Sequence, residues 1–145
     1  MKKILAAILF LSSCTPKDLS KEAIQEIINA DKAMSAQASQ EGFFKTLLAY
    51  AEDSVVKPKE GELPVIGKEA LTKYWSGKTD TKAITWEPFR AEAAKSGDIG
   101  YTLGNWKFVT KDSVFYGNYY TVWKKQSDGK WKFVVDGGNN TPAPK

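Results

Sequence analysis

The spacing of apolar residues changes for the rest of the chain close to Lys82, and that change restricts the fold more than any other feature. Up to Ser76 they recur at three- and four-residue steps, as on helices with one buried face. From Ala83 onward apolar and polar residues alternate, as on strands with one face against a core. Helices first and strands after predict an α+β domain.

In detail, Ser20 reads as the N-cap of a helix running from Lys21 to about Gln40, with Glu22 in its first turn and Leu19 placed to staple onto Ile24. Its inward stripe is Ile24, Ile27, Ile28, Met34 and Ala38. A second helix follows Gly42 with Phe43, Phe44, Leu47, Leu48 and Ala51 on one face. It ends at Asp53-Ser54, where Val55-Val56 opens a strand, and Lys57 to Glu62, holding Pro58 and Gly61, reads as a turn. A third helix spans Lys68 to Ser76 and stops at Gly77. Four strand patterns remain: Ala83 to Ala94, Ile99 to Val109, Val114 to Lys125 and Lys130 to Asp136. Their separators, Ser96-Gly97-Asp98, Lys111-Asp112-Ser113 and Ser127-Asp128-Gly129, are hairpin-length, so the strands should form an antiparallel meander.

The N-terminus carries an address. Lys2 and Lys3 precede an unbroken apolar run, Ile4 to Leu11, which as a helix reaches only ~12 Å, against the ~30 Å needed to span a bilayer. Leu11-Ser12-Ser13-Cys14 then places small residues before the cysteine, as at an export cleavage site. Residues 1–13 are read as a signal peptide and 14–18 as a tether. The folded domain is expected over 19–140, and 141–145, with two prolines, as a disordered tail. The chain has 21 basic and 17 acidic side chains, and removal of Lys2 and Lys3 leaves 19 against 17. Those lysines are dispersed, which gives no support for nucleic-acid binding.

Absences narrow the chemistry further. With no histidine and a single cysteine, the chain cannot build Cys/His zinc sites, the usual haem ligation, or a Ser-His-Asp triad. The aspartates are not clustered at calcium-loop spacing and the glycines follow no phosphate-loop pattern. No cofactor and no metal are expected, and any proton transfer falls to Asp, Glu, Tyr or Lys.

Two carboxylates stand out. Asp31 lies near the centre of the apolar stripe of the first helix, where an isolated charge is costly, so it must be paired, hydrogen-bonded or protonated. Two readings of it stay open: an anchor between helix and sheet through a Tyr, Trp, Lys or Arg90, or an acid lining a pocket. Asp136 ends the last strand on the face of Val134, just before Gly137-Gly138, where pairing should give way. It is either a rim carboxylate of a pocket or a solvated strand end. The aromatics Trp75, Trp86, Tyr101, Trp106 and Tyr119 supply candidate pocket walls, while alternation puts Tyr119 and Tyr120 on opposite faces. The Asn139-Asn140-Thr141 sequon reads as a chance match.

Two resemblances follow from these residues. Leu11-Ser12-Ser13-Cys14 resembles the lipobox of bacterial lipoproteins, which implies diacylglycerol on Cys14 and attachment to a membrane. Thr15 after the cysteine implies the periplasmic side of the outer membrane in a Gram-negative cell. Asp31-Lys32-Ala33-Met34 with Glu41-Gly42-Phe43, Trp86-Glu87-Pro88 with Ser96 to Trp106, and Gly117-Asn118-Tyr119 through Trp123-Lys124-Lys125, Asp128-Gly129, Trp131-Lys132 and Asp136 resemble the often exported branch of the nuclear transport factor 2-like superfamily. Ketosteroid isomerases and SnoaL-type cyclases belong to the same superfamily. This resemblance implies a cone, a strongly curved antiparallel sheet wrapped around three N-terminal helices, with a pocket at its open end and dimers formed through the outer sheet face. Tyr50 to Val55 is similar to the segment that leads into the base aspartate of the isomerases. That register arrives at Pro58 between Lys57 and Lys59, where there is no carboxylate. The expected function is therefore non-catalytic binding of a small, largely apolar ligand or of a protein partner. The alternative is an acid-base enzyme, isomerase, dehydratase or hydrolase, using Asp31 with a tyrosine or Asp136.

Overall fold

A computed structural model describes residues 17–144, so the signal segment and Cys14 lie outside the described residues. Helix α1 spans Ser20–Glu41 and is followed at once by α2, Phe43–Tyr50. Between them Gly42 takes φ 113°, a conformation open to glycine, and turns the chain. The start of α1 differs from the sequence reading. Ser20 is already helical, and the capping side chain is Asp18, whose carboxylate accepts from the Ser20 amide at 3.0 Å and its hydroxyl at 2.6 Å. The start of α2 is capped from a distance, by Asp80 accepting from the amides of Phe44 (2.8 Å) and Lys45 (3.1 Å).

Strands β1 (Ala51–Lys59) and β2 (Glu62–Ile66) come next, then α3 (Lys68–Trp75). Here the sequence reading needs two corrections. The second helix ends at Tyr50, not at Asp53-Ser54, because Ala51 is already paired with Phe133 on the sheet. The supposed turn from Lys57 to Glu62 is mostly strand, and only Glu60-Gly61 turns before β2 pairs back onto β1.

The last four strands are β3 (Ile84–Ala93), β4 (Ile99–Val109), β5 (Val114–Lys125) and β6 (Trp131–Thr141). They form the expected antiparallel meander. The full sheet order is β2-β1-β6-β5-β4-β3. It is mixed rather than purely antiparallel, since β1 runs parallel to β6. Strand β6 does not stop at Asp136. It continues through Gly137-Gly138 to Thr141, so the expected tail begins one residue late, because β5 supplies partners as far as Tyr116. The two glycines are there for close approach: a Cβ on Gly137 would run into the Tyr120 ring, and one on Gly138 into the Asn118 carbonyl.

Register shifts in β1, between Pro88 and Arg90, and between Val122 and Trp123 bend the sheet around the helices. Ile27 and Met34 of α1, Leu47 of α2 and Leu71 of α3 meet Val55, Trp123 and Phe133 in the enclosed core. Among the described residues no helix is long and apolar enough to cross a membrane.

The concave face also depends on glycine. A Cβ on Gly104 would strike both the Tyr119 ring and the Glu87 carbonyl. A backbone carbonyl cannot retreat as a flexible side chain does. Gly104→Ala should therefore cost about 2 kcal/mol, read as a lowered urea midpoint with an unchanged slope.

Candidate functional site

Strand alternation turns Trp106 and Phe108 of β4 and Tyr119 and Thr121 of β5 toward the helices. Ile84 and Trp86 of β3 join them, and Met34, Phe43 and Leu47 close the opposite side. The result is a cavity of about 370 Å³ inside the curved sheet, within the ~300–1,000 Å³ range of small-molecule sites.

The indole, phenol and threonine hydrogens of this wall are engaged within the protein. Trp86 Nε1 donates to Asp31 Oδ1 at 2.7 Å, and the Tyr119 hydroxyl to Asp31 Oδ2 at 2.9 Å. Trp106 Nε1 donates to the Asn118 carbonyl at 3.1 Å, and the Thr121 hydroxyl to Asp136 Oδ2 at 3.1 Å. What these residues offer the cavity is mainly ring face and hydrocarbon.

Asp31 is fully buried. It lies behind Trp86 and Tyr119 and does not itself line the cavity. Burial pushes its carboxyl above the ordinary aspartate range, with donors on Thr102, Trp86 and Tyr119 opposing the shift. Burial and then the neighbouring Asp31 charge push the Tyr119 phenol far above the usual tyrosine range, so it keeps its proton. One turn on, Ser35 Oγ accepts from the Trp86 amide at 3.0 Å. Asp31 and Ser35 together fasten α1 to β3 and β5, the anchoring arrangement of the two open readings.

A largely buried ion pair also faces the cavity. Lys57 Nζ lies 2.6 Å from Asp136 Oδ1, with side chains only 21% and 13% exposed. Asp136 is thus neither solvated nor at a strand end. Glu60 stands nearby in the β1–β2 turn, and Asn139 and Asn140 are exposed along the rim.

Of the residues singled out from sequence, Trp86, Trp106, Tyr119 and Asp136 converge on the cavity. Trp75 does not, being packed in the core with its ring stacked 5.0 Å from Phe44. Tyr101 lies on the outer sheet face, in register with Val122. Sequence reasoning missed Lys57, although it stands two residues after the buried Val55 and so on the core side of β1. Phe43, Leu47 and Met34 were visible as apolar helix positions, with nothing to separate wall from core. Among the described residues no three His, Cys, Asp or Glu side chains gather as a metal site.

No protein-family model matches the chain, and no curated protein sequence does. Solved structures do. A putative ketosteroid isomerase from Parabacteroides distasonis superposes with a TM-score of 0.68 at 17% identity, covering 86% of this chain and 96% of that one. A ketosteroid isomerase-like protein from Erwinia carotovora atroseptica gives 0.66 at 15% identity, covering 85% and 98%. An NTF2-like protein of unknown function from Pseudomonas putida gives 0.63 at 20% identity, covering 83% and 88%. The fold is the nuclear transport factor 2-like cone. At these identities the likeness speaks for the architecture, and the cavity just described lies inside that cone.

Asp31 makes two separable predictions. Asp31→Leu leaves the Trp86 and Tyr119 donors without acceptors and should destabilise by about 3 kcal/mol. Asp31→Asn can still accept from Trp86 and donate to the Tyr119 oxygen, and should cost less. The raised carboxyl also fixes a sign. The folded chain holds this proton more tightly than the unfolded chain, whose aspartate titrates near ~3.9, so stability from this group is greatest below that pH. It falls as pH rises through the folded value and is flat above. Urea unfolding from pH 3.5 to 7 should show the stability of the wild type relative to Asp31→Asn falling as pH rises and levelling off above the folded value, the contributions of the other carboxylates being common to both proteins.

Proposed function

We propose that this chain is a cell-envelope lipoprotein, held to the membrane by lipid on Cys14, whose domain binds a small, largely apolar molecule without transforming it. The observation that carries this reading is the cavity wall: mainly indole, phenyl and aliphatic surface whose indole and phenol hydrogens are already satisfied inside the protein. Such a wall favours an apolar guest and leaves few groups free to act on it. In a Gram-negative cell the anchor would place the domain on the periplasmic side of the outer membrane.

The enzymatic alternative draws support from the 2.9 Å contact between Asp31 and Tyr119. Against it, both Asp31 oxygens are engaged by wall residues, and the Tyr119 phenol is a poor acid with its proton on that carboxylate. Asp136 reaches the cavity but is held by Lys57 and Thr121. A general base must come within hydrogen-bond reach of the proton it takes, and Asp31 is fully buried behind the wall and does not line the cavity. The isomerase names of the solved neighbours therefore do not carry over to this site as chemistry.

The outer sheet face, where Leu103 lies opposite Tyr120 and Tyr101 opposite Val122, suits a second copy of the chain. Tyr120 is 38% exposed there, and sedimentation of the full chain carrying Cys14→Ser should give a dimer. A monomer at all concentrations would remove that part of the proposal.

Cys14→Ser should move the protein out of the membrane fraction with its folding unchanged. Retention after salt washing, with residues 1–13 still attached, would mean that the apolar segment and not a lipid is the anchor. Binding is tested on the full chain carrying Cys14→Ser by titration with 2-ethylnaphthalene. Saturable one-to-one quenching of tryptophan emission is expected, and Ile84→Trp, which fills the cavity, should abolish it. Non-saturable quenching that is identical in both proteins would count against a ligand cavity.

A further inference from the structure

The apolar wall has one largely buried charged interruption, the Lys57–Asp136 pair, and its bonding pattern specifies what it can read. An ammonium carries three N–H donors. Lys57 Nζ uses one on Asp136 Oδ1 at 2.6 Å and has no other hydrogen-bond partner among the described residues. The indole, phenol and threonine donors of the wall are all committed elsewhere. Lys57 is therefore the charged donor of this wall with protons to spare, and the ligand group it meets must be an acceptor.

The charge around Lys57 decides which acceptor. A carboxylate placed on Nζ would also lie close to the Asp136 carboxylate, whose repulsion offsets part of the attraction. The cost of stripping water from the anion is then only partly compensated. Glu60 adds a further negative charge on the same cavity. A cation would meet Lys57 directly. A neutral carbonyl or ether oxygen loses little hydration and gains a charge-assisted hydrogen bond. The rest of the guest faces rings: Phe43 stands edge-on to Trp86 with centroids 5.8 Å apart, and Trp106 and Phe108 complete the aromatic side.

Resting on the ligand-binding reading above, we propose that the cavity selects an uncharged aromatic molecule bearing one hydrogen-bond acceptor, and that Lys57, balanced by Asp136, is the residue that reads it. Asp136 sets the charge preference, so neutralising it should invert the selectivity of the pocket.

Three probes of one shape test this on the full chain carrying Cys14→Ser, by equilibrium dialysis: 2-acetylnaphthalene, 2-ethylnaphthalene and 2-naphthoate. The ketone should bind roughly tenfold more tightly than the hydrocarbon, the size of one hydrogen bond of about 1.4 kcal/mol, and 2-naphthoate should bind most weakly. Asp136→Asn should raise 2-naphthoate affinity by about tenfold or more and place it ahead of the ketone. Lys57→Met combined with Asp136→Asn removes both charges, keeps an acceptor for Thr121 and should make the ketone and the hydrocarbon equal. Circular dichroism of each variant checks that it is folded. Equal saturable binding of ketone and hydrocarbon by the unaltered pocket would overturn this selectivity while leaving an apolar site. So would tightest binding of 2-naphthoate before Asp136 is changed. Failure of all three probes to bind would overturn the ligand-binding reading itself.

Discussion

The carboxylate of Asp31 accepts one hydrogen bond from Trp86 and one from Tyr119, and the shape of the cavity depends on that double contact. Helix α1 is tied to the sheet elsewhere too, through Ser35 to the Trp86 amide, Lys32 to Glu87, and Glu26 to Lys125 and Trp131, but Asp31 is the fully buried tie. Hydrophobic contact alone is non-directional and would leave the helix free to slide. Two directional bonds to different strands fix its position and, in the same act, fix the rotamers of two wall residues. The indole and the phenol are turned with their polar edges toward the helix and their ring surfaces toward the cavity. A carboxylate that looks like a catalytic candidate in sequence thus works as a positioning group, and its burial raises its pKa without giving it access to a substrate.

Size complementarity along the strands provides the second requirement. Gly104 lies where the Tyr119 ring crosses β4, and Gly117 where the Trp106 indole crosses β5. The Tyr119 and Trp106 rings thus each rest over a missing side chain on the adjacent strand. That arrangement lets the rings lie along the sheet instead of filling the space above it. The enclosed region near Trp123 and Phe133 is solid core, where α1, α2 and α3 all reach the sheet. Toward the other end of the strands the helices no longer fill the concavity, and the cavity opens there between Phe108 and Asn140.

How much of this was legible in the sequence differs by region. The first three strands of the meander were readable nearly to the residue, because β4 and β5 alternate cleanly and glycine or aspartate marks each turn. The inward position of Asp31 was equally visible, since a charged residue amid an apolar stripe has a single helical explanation. The segment from Ala51 to Ile66 was not. Ala51 falls three residues after Leu48 and mimics another helical turn, and Pro58 with Gly61 masks two paired strands as a loop. Gly137-Gly138 misled in the opposite sense: the pair looked like a strand end but serves the approach of Tyr120 and Asn118. Trp75 and Tyr101 could not be placed, because aromatic character marks burial or contact without saying which side of a sheet receives it.

The misread segment is also the one that brings the polar group of the site together. Lys57 and Asp136 are 79 residues apart in sequence and meet because β1 runs parallel to β6, a long-range pairing with no hairpin signal to announce it. A half-buried ion pair is a weak means of stabilising a fold, because desolvation offsets most of the Coulombic attraction, and two aliphatic side chains of similar volume would often do as well. Neither is the pair needed for anchoring, which Asp31 and Ser35 already provide at α1. Its position is what distinguishes it: it stands at the cavity wall with donors left over, opposite rings whose own donors are spent. A charge retained where packing alone would favour hydrocarbon is best accounted for by what enters the cavity, and the neutral balance of the pair then argues for a guest that is polar at one point and charged nowhere.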